Sequence, residues 1–203
     1  VFGQSMEIFM GSLLAGDNAA VPSPYDFALG GKGLDPSLPG GVSGTLLQAG
    51  QCFMVDMGGN FYGYMGDMSR VFSIGRLPEQ AYTAHQTCIE IQEEIAAMAK
   101  PGTVCEDMYN KAIEIVTKAG FADYFMGVDQ KAKFIGHGIG LEINEMPVLA
   151  PRMKQELEPG MVFALEPKIV LPGIGPVGIE NSWAVTTDGL EKLTLCKEEI
   201  IEL

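Results

Sequence analysis

Hydrophobic and polar positions switch between strand-like and helix-like periods along the chain. Residues 6–14 form an apolar run that reads as a buried strand. Two further apolar runs, 52–57 and 68–74, are separated by Gly58-Gly59-Asn60 and the aromatic stretch Phe61-Tyr62-Gly63-Tyr64, a hairpin pattern. Pro78 opens a helix that extends to about Ala99 and stops at Pro101-Gly102. Thr103 and Glu106 have capping-box spacing for a second helix. In it Val104, Met108, Ala112, Ile115 and Val116 recur at helical intervals, and Gly120 ends it. Strands are predicted at 161–170 and 177–186, and Asp188-Gly189 turns the chain into a last strand at 191–195. Residues 17–48, rich in Gly, Pro and Ser, predict a long loop of the kind that often carries function. The pattern is α+β with a mostly antiparallel sheet.

Composition narrows the function classes. At 203 residues the chain can bury a sizeable core, and 47% hydrophobic against 19% charged residues is globular rather than disordered. Acidic residues outnumber basic ones 26 to 13, with no basic stripe, which excludes a nucleic-acid binder. The longest apolar candidate, 169–179, is broken by Pro172, Gly173, Gly175 and Pro176, so no membrane span is predicted. Cys52, Cys88, Cys105 and Cys196 are scattered without a C-x-x-C pair, as expected of reduced thiols in a cytoplasmic protein. The methionines read as core filling, and Phe61, Tyr62, Tyr64 and Trp183 as sheet packing. Tyr64 stands out among them because it sits between Asp56 and Asp67. His85, in a polar stretch of the first helix, is expected on the surface.

Chemistry is signalled by acids placed where a core should be. Asp56, Glu166 and Glu180 each sit inside an apolar strand-like segment. A buried carboxylate costs several kcal/mol unless something positive meets it, although strand alternation could turn any single one outward. Few Lys and Arg are available as partners, and a shared cation would neutralise several acids at once. His137, in Gly136-His137-Gly138-Ile139-Gly140, is the natural nitrogen ligand, because glycines let neighbouring backbone approach closely. Carboxylates with one imidazole form a hard donor set suited to Mn, Co, Fe or Zn. Lys168 is open to two readings, a cation behind this set or a surface residue. The glycines at 136, 138 and 140 are no phosphate loop, since no helix follows them.

These residues arrive in the order of a known family. Asp56 and Asp67, the GHGIG stretch, the Leu165-Glu166-Pro167 segment and Gly178-Ile179-Glu180 followed by Thr186-Thr187-Asp188-Gly189 resemble the pita-bread metallopeptidases. That group includes aminopeptidase P, prolidase, methionine aminopeptidase and creatinase; the gap from Glu166 to Glu180 is similar to the Xaa-Pro peptidase branch. The resemblance implies a curved, mostly antiparallel sheet with helices on its outer face. It implies two divalent ions, manganese first among them, held by Asp56, Asp67, His137, Glu166 and Glu180, with Asp67 and Glu180 bridging. Glu166 would also move the proton of the attacking water. The substrate would be a peptide cut near a free N-terminus, often before proline, and the protein a homodimer. On this reading residues 1–203 are a catalytic domain, expected to lack the family's N-terminal helices and any preceding domain.

Three positions depart from the family pattern. Asn144 stands where a second histidine is expected, in a catalytic position that it could fill as a hydrogen-bond donor but not as an acid. No histidine exists between Val1 and Ala84, although one is expected near Ser37-Leu38. Gly178 replaces an arginine before the last glutamate. The lost histidines favour an alternative, a creatinase-like C–N hydrolase or a lyase acting on a small molecule. A non-catalytic binding domain is a third class, disfavoured by the five retained ligands.

Overall fold

The computed structural model describes residues 11–22, 28–37 and 40–203. Of the predicted first strand, β1 (Gly11–Ala15) is observed, and positions 6–10 lie outside the described residues. It pairs with β2 (Cys52–Phe61), which forms a long antiparallel hairpin with β3 (Tyr64–Ser73). The hairpin is longer than its apolar runs suggest. Gly58, Gly59 and Asn60 continue the ladder, and the turn is Tyr62-Gly63, both at positive φ. The aromatics at its tip do not pack in the sheet as expected: Phe61, Tyr62 and Tyr64 are exposed, Tyr64 by 65%. They project beyond the point where a second layer covers the hairpin.

Helix α1 (Glu79–Met98) follows Pro78, and α2 (Cys105–Lys118) ends before Gly120, both close to the predicted limits. The capping box does not form. Val104 precedes α2 with no side-chain cap, and Thr103 Oγ1 instead accepts from Lys100 N–H to shape the Pro101-Gly102 turn. Glu106 turns outward to Arg152 N–H and the Lys154 ammonium. Ala81, Ala84, Cys88, Ile91 and Ile95 of α1 recur every three or four residues and are fully buried. Each large apolar side chain among them contributes on the order of 2 kcal/mol of burial.

The two predicted strands of the C-terminal half each split. The first becomes β6 (Val162–Leu165) and β7 (Lys168–Leu171), the second β8 (Gly175–Gly178) and β9 (Asn181–Val185). The breaks fall at Glu166-Pro167 and at Ile179-Glu180. Pro167 cannot donate to a ladder, so the strand leaves its sheet there. β7 and β8 pair as a separate hairpin against α1, while β6 and β9 join a five-stranded sheet of order β10-β9-β6-β4-β5. Its other members are β4 (Gly136–Gly138), β5 (Glu145–Val148) and β10 (Leu190–Lys192), which is shorter than the predicted 191–195. A terminal strand β11 (Ile201–Glu202) adds to β3 in parallel; the other pairings are antiparallel. An isolated bridge, Ser69 to Glu180, joins the first sheet to the second.

His85 is a correction. It faces inward from α1, with its Nε2–H directed at the Glu198 carbonyl (2.6 Å) and Nδ1 accepting from Gly178 N–H (3.2 Å). The local sequence is polar, but this helix face meets β8 and the C-terminal segment. Burial holds its imidazole below the ordinary pKa of 6.5. The unfolded chain therefore binds the extra proton first as pH falls. The contribution of His85 is complete above pH 6.5 and is lost progressively below it. In urea unfolding, the stability difference between wild type and His85→Gln should narrow from pH 7.5 to pH 5.5; a constant difference would contradict a neutral buried imidazole.

Candidate metal centre

The hairpin fixes the two aspartates. Asp56 lies opposite Ser69 and Asp67 opposite Gly58, so Asp56, Asp67 and Ser69 share one face of β2 and β3. Ser69 Oγ donates to Glu180 Oε2 at 2.5 Å, and Ser182 Oγ donates to the Asp67 carbonyl at 2.8 Å, which locks this face to β9.

His137 is the middle residue of β4, squeezed between β5 and β6. A Cβ on Gly136 would meet the Ala164 carbonyl at 2.3 Å, and one on Gly138 the Met146 carbonyl at 2.3 Å. The flanking glycines are what allow three backbones to close around one imidazole. His137 Nδ1–H points to the Gly138 carbonyl (3.1 Å), which leaves Nε2 as the free ligand atom. Nε2 lies 3.5 Å from Glu166 Oε1 and 3.7 Å from Asp67 Oδ2.

Glu166 and Glu180 occupy the two strand breaks, and side chains outside the predicted set hold those breaks. Gln92 of α1 donates to the Leu165 carbonyl (2.7 Å) and the Ile179 carbonyl (3.1 Å), the residues just before each glutamate. Its Oε1 accepts from Asn181 Nδ2 (2.7 Å) and Trp183 Nε1 (3.3 Å). Arg70 spans the same region, donating to the Glu180 and Ser69 carbonyls, to Asn181 Oδ1 and to the Lys197 and Cys196 carbonyls. The signal that could have found them is a lone amide on an apolar helix face and an arginine three residues after a metal aspartate.

The five predicted ligands do converge. Asp67, His137 and Glu180 each offer one atom within 4.8 Å of the others, and so do Asp56, Glu166 and Glu180. The first trio could hold a divalent ion: its His137–Asp67 gap of 3.7 Å is close to the ~3.4 Å edge of a tetrahedron with bonds of about 2.1 Å. The second trio already surrounds a cation. Lys168, the first residue of β7, is fully buried, and its Nζ lies 2.8 Å from Asp56 Oδ2, 2.6 Å from Glu166 Oε2 and 3.2 Å from Glu180 Oε2. Of the two readings left open for Lys168, the surface one is overturned. Burial opposes its charge, yet the carboxylates of Asp56, Glu166 and Glu180 outweigh it and hold the ammonium protonated. The acids feel the crowding too. Burial, then the charges of Asp56 and Glu166, push the Asp67 carboxyl up to about 8. Burial likewise raises Glu180 well above its ordinary value, against the pull of Lys168.

Asn144 lies in the exposed loop just before β5, one residue before Glu145, the partner of Gly138, and Met65 N–H to the Gly140 carbonyl (2.7 Å) ties this loop to the hairpin. Of the region expected to carry a loop histidine, Ser37 is exposed and bonded to Asp35, and Leu38 lies outside the described residues. At Gly178, φ is +137° and a Cβ would meet the Pro167 carbonyl at 2.4 Å, so an arginine has no room there.

Fold and donor set together define a metallopeptidase architecture. The profile of metallopeptidase family M24 matches residues 3–187, and the chain belongs to that family. It is 30% identical over 185 residues to an Xaa-Pro dipeptidase of Pyrococcus furiosus, covering 91% of this chain and 51% of that protein. It is 31% identical over 192 residues to an Xaa-Pro dipeptidase of Lactobacillus helveticus, covering 95% and 46%. Among solved structures, the X-Pro aminopeptidase of Thermotoga maritima superposes with a TM-score of 0.79 at 26% identity, over 95% of this chain and 49% of that one. The Xaa-Pro dipeptidase of Bacillus anthracis gives 0.78 at 30% identity, over 96% and 49%. The fold is thus the pita-bread α+β fold, in the Xaa-Pro branch, and the chain spans about half the length of the curated relatives it matches.

Gln92→Leu should remove four buried hydrogen bonds around the two glutamates. The expected loss is about 2–4 kcal/mol of stability and roughly tenfold in Mn(II) affinity. Urea unfolding and calorimetric titration read the two effects, and unchanged affinity would show that Gln92 does not position the glutamates.

Proposed function

We propose that the chain is the metal-binding catalytic unit of an Xaa-Pro peptidase, a dipeptidase or aminopeptidase that hydrolyses a bond near a free N-terminus. The observation that carries this reading is the convergence of Asp67, His137, Glu166 and Glu180 in one buried cluster of an M24 fold. A divalent ion held by Asp67, His137 and Glu180 would supply Lewis-acid polarisation and an acidified water; manganese is the first to test. Glu166 presents Oε1 to the His137 side while Lys168 holds its Oε2. In this reading Glu166 takes the proton of the attacking water and delivers it to the departing nitrogen. Asn144, exposed just before β5, would donate a hydrogen bond to the substrate carbonyl in this reading. The four free cysteines support placing the protein in the cytoplasm.

A second reading, a hydrolase or lyase acting on a small C–N or sulfonium compound, is favoured by one fact. Of this chain's two histidines, one stands among the candidate ligands and the other is buried against β8, so neither is left over to contact a peptide substrate. The purified protein, stripped of metal and reloaded with Mn(II), Co(II) or Zn(II), should cleave Xaa-Pro dipeptides or longer Xaa-Pro peptides. Glu166→Gln should lower kcat by about 10²-fold or more, and Asn144→Ala by at least roughly tenfold. Metal binding without cleavage would shift the assignment to the small-molecule reading.

A further inference from the structure

We propose that the Lys168 ammonium is the built-in cation of the Asp56–Glu166–Glu180 subsite, so that this chain binds one divalent ion, at Asp67, His137 and Glu180, rather than two. The inference rests on the metal-dependent reading above and sets the stoichiometry of that centre.

Three observations carry it. The first is occupancy: Nζ stands among the same three carboxylates that would ligate the second ion, at 2.6 to 3.2 Å. An ammonium has three donors, and each meets one oxygen of a different carboxylate, so its donor set is satisfied. Ion and ammonium therefore compete for the same oxygens.

The second is confinement. Lys168 has 0% exposure. Its backbone is fixed on both sides: it pairs with Gly178 across the β7–β8 hairpin, its carbonyl accepts from Met126 N–H at 2.8 Å, and its N–H faces Met126 Sδ. Gly178 shows how close that hairpin sits, since a Cβ there would lie 2.8 Å from Lys168 Cα. The ammonium itself is buried, and of its three carboxylate partners Asp56 is the partly exposed one, its side chain by 24%. A displaced ammonium would remain buried without a partner.

The third is charge. Fully ionised, as metal ligation requires, Asp56, Asp67, Glu166 and Glu180 would bring four negative charges, and Lys168 returns one. One divalent ion brings the cluster to a single residual negative charge. A second would leave a buried net positive cluster with an ammonium and a dication sharing ligands, which like-charge repulsion disfavours. Lys168 is a positioning residue: it holds Asp56 and the Oε2 edge of Glu166, and leaves Glu166 Oε1 turned toward His137.

The test is metal stoichiometry. Apo protein is incubated with excess Mn(II), desalted and analysed for metal by mass spectrometry, with electron paramagnetic resonance on the same sample. Wild type should retain one ion per chain with the signal of isolated Mn(II). Lys168→Ala should retain two and show the exchange-coupled signal of an ion pair. Two coupled ions in wild type would overturn the proposal while leaving the peptidase reading intact. So would a folded Lys168→Ala that still holds one. No retained ion in either protein would overturn both. Should Lys168→Ala fail to fold, the wild-type spectrum decides alone, because a coupled pair and an isolated ion are spectroscopically distinct.

Discussion

Four carboxylates are drawn into one largely buried cluster, and the structure depends on what balances them. Each alone would cost several kcal/mol to bury ionised, and together they repel. Burial and mutual repulsion already push Asp67 up to about 8. Among the described residues the counter-charge in direct contact is Lys168, the first residue after the Glu166-Pro167 break. The hairpin, the strand breaks and the glycine-lined β4 are different solutions to one problem: bringing acids from four segments close enough to share a cation.

The backbone around the acids is held by neutral or delocalised donors rather than by further charge pairs. Gln92 reaches from α1 to the carbonyls preceding both glutamates, and Arg70 reaches from β3 to the carbonyl of Glu180 itself. Arg70 contacts carbonyl and amide oxygens in this cluster, so it positions strands without neutralising the ligands. Such a division leaves the carboxylate oxygens available to cations while their backbones are immobilised. It also explains why β6 and β9 stop where they do. A glutamate inside a regular ladder would alternate to one face or the other, whereas at a break its carbonyl and amide are freed for cross-links.

Much of the centre was legible in the chain because the ligands are acids in apolar segments, and such placements violate the burial rule unless chemistry compensates. The His137 glycines were legible for the same kind of reason, since only close backbone approach requires them. The misses share a cause. His85 and Gln92 are polar residues whose partners lie 93 to 113 and 73 to 91 positions away, so no local period reports them; for Lys168, left open between a cation behind the acids and a surface residue, it is Asp56, 112 positions away, that no local pattern could place. The predicted strands at 161–170 and 177–186 merged four real ones because the apolar runs continue through the breaks. Pro167 marked the first break; at Glu180 the sequence has no comparable stop. The capping box failed because its threonine serves the preceding turn, which the two-residue pattern cannot distinguish.

Lys168 also links the fold to its chemistry through register. β7 and β8 must pair so that Lys168 faces Gly178, since any side chain at 178 would strike the Pro167 carbonyl. Gly178 N–H in turn is held by His85 Nδ1 on α1. A slip of one residue would turn Lys168 to the opposite face of its hairpin and leave Asp56, Glu166 and Glu180 without their ammonium. The helix, the hairpin and the acid cluster therefore constrain one another. The arginine absent from position 178 is less a lost substrate contact than the steric condition for a lysine at 168. A chain that keeps a buried ammonium among metal ligands has exchanged part of its ion-binding capacity for an internal charge, and its reactivity follows from the oxygens that Lys168 leaves free.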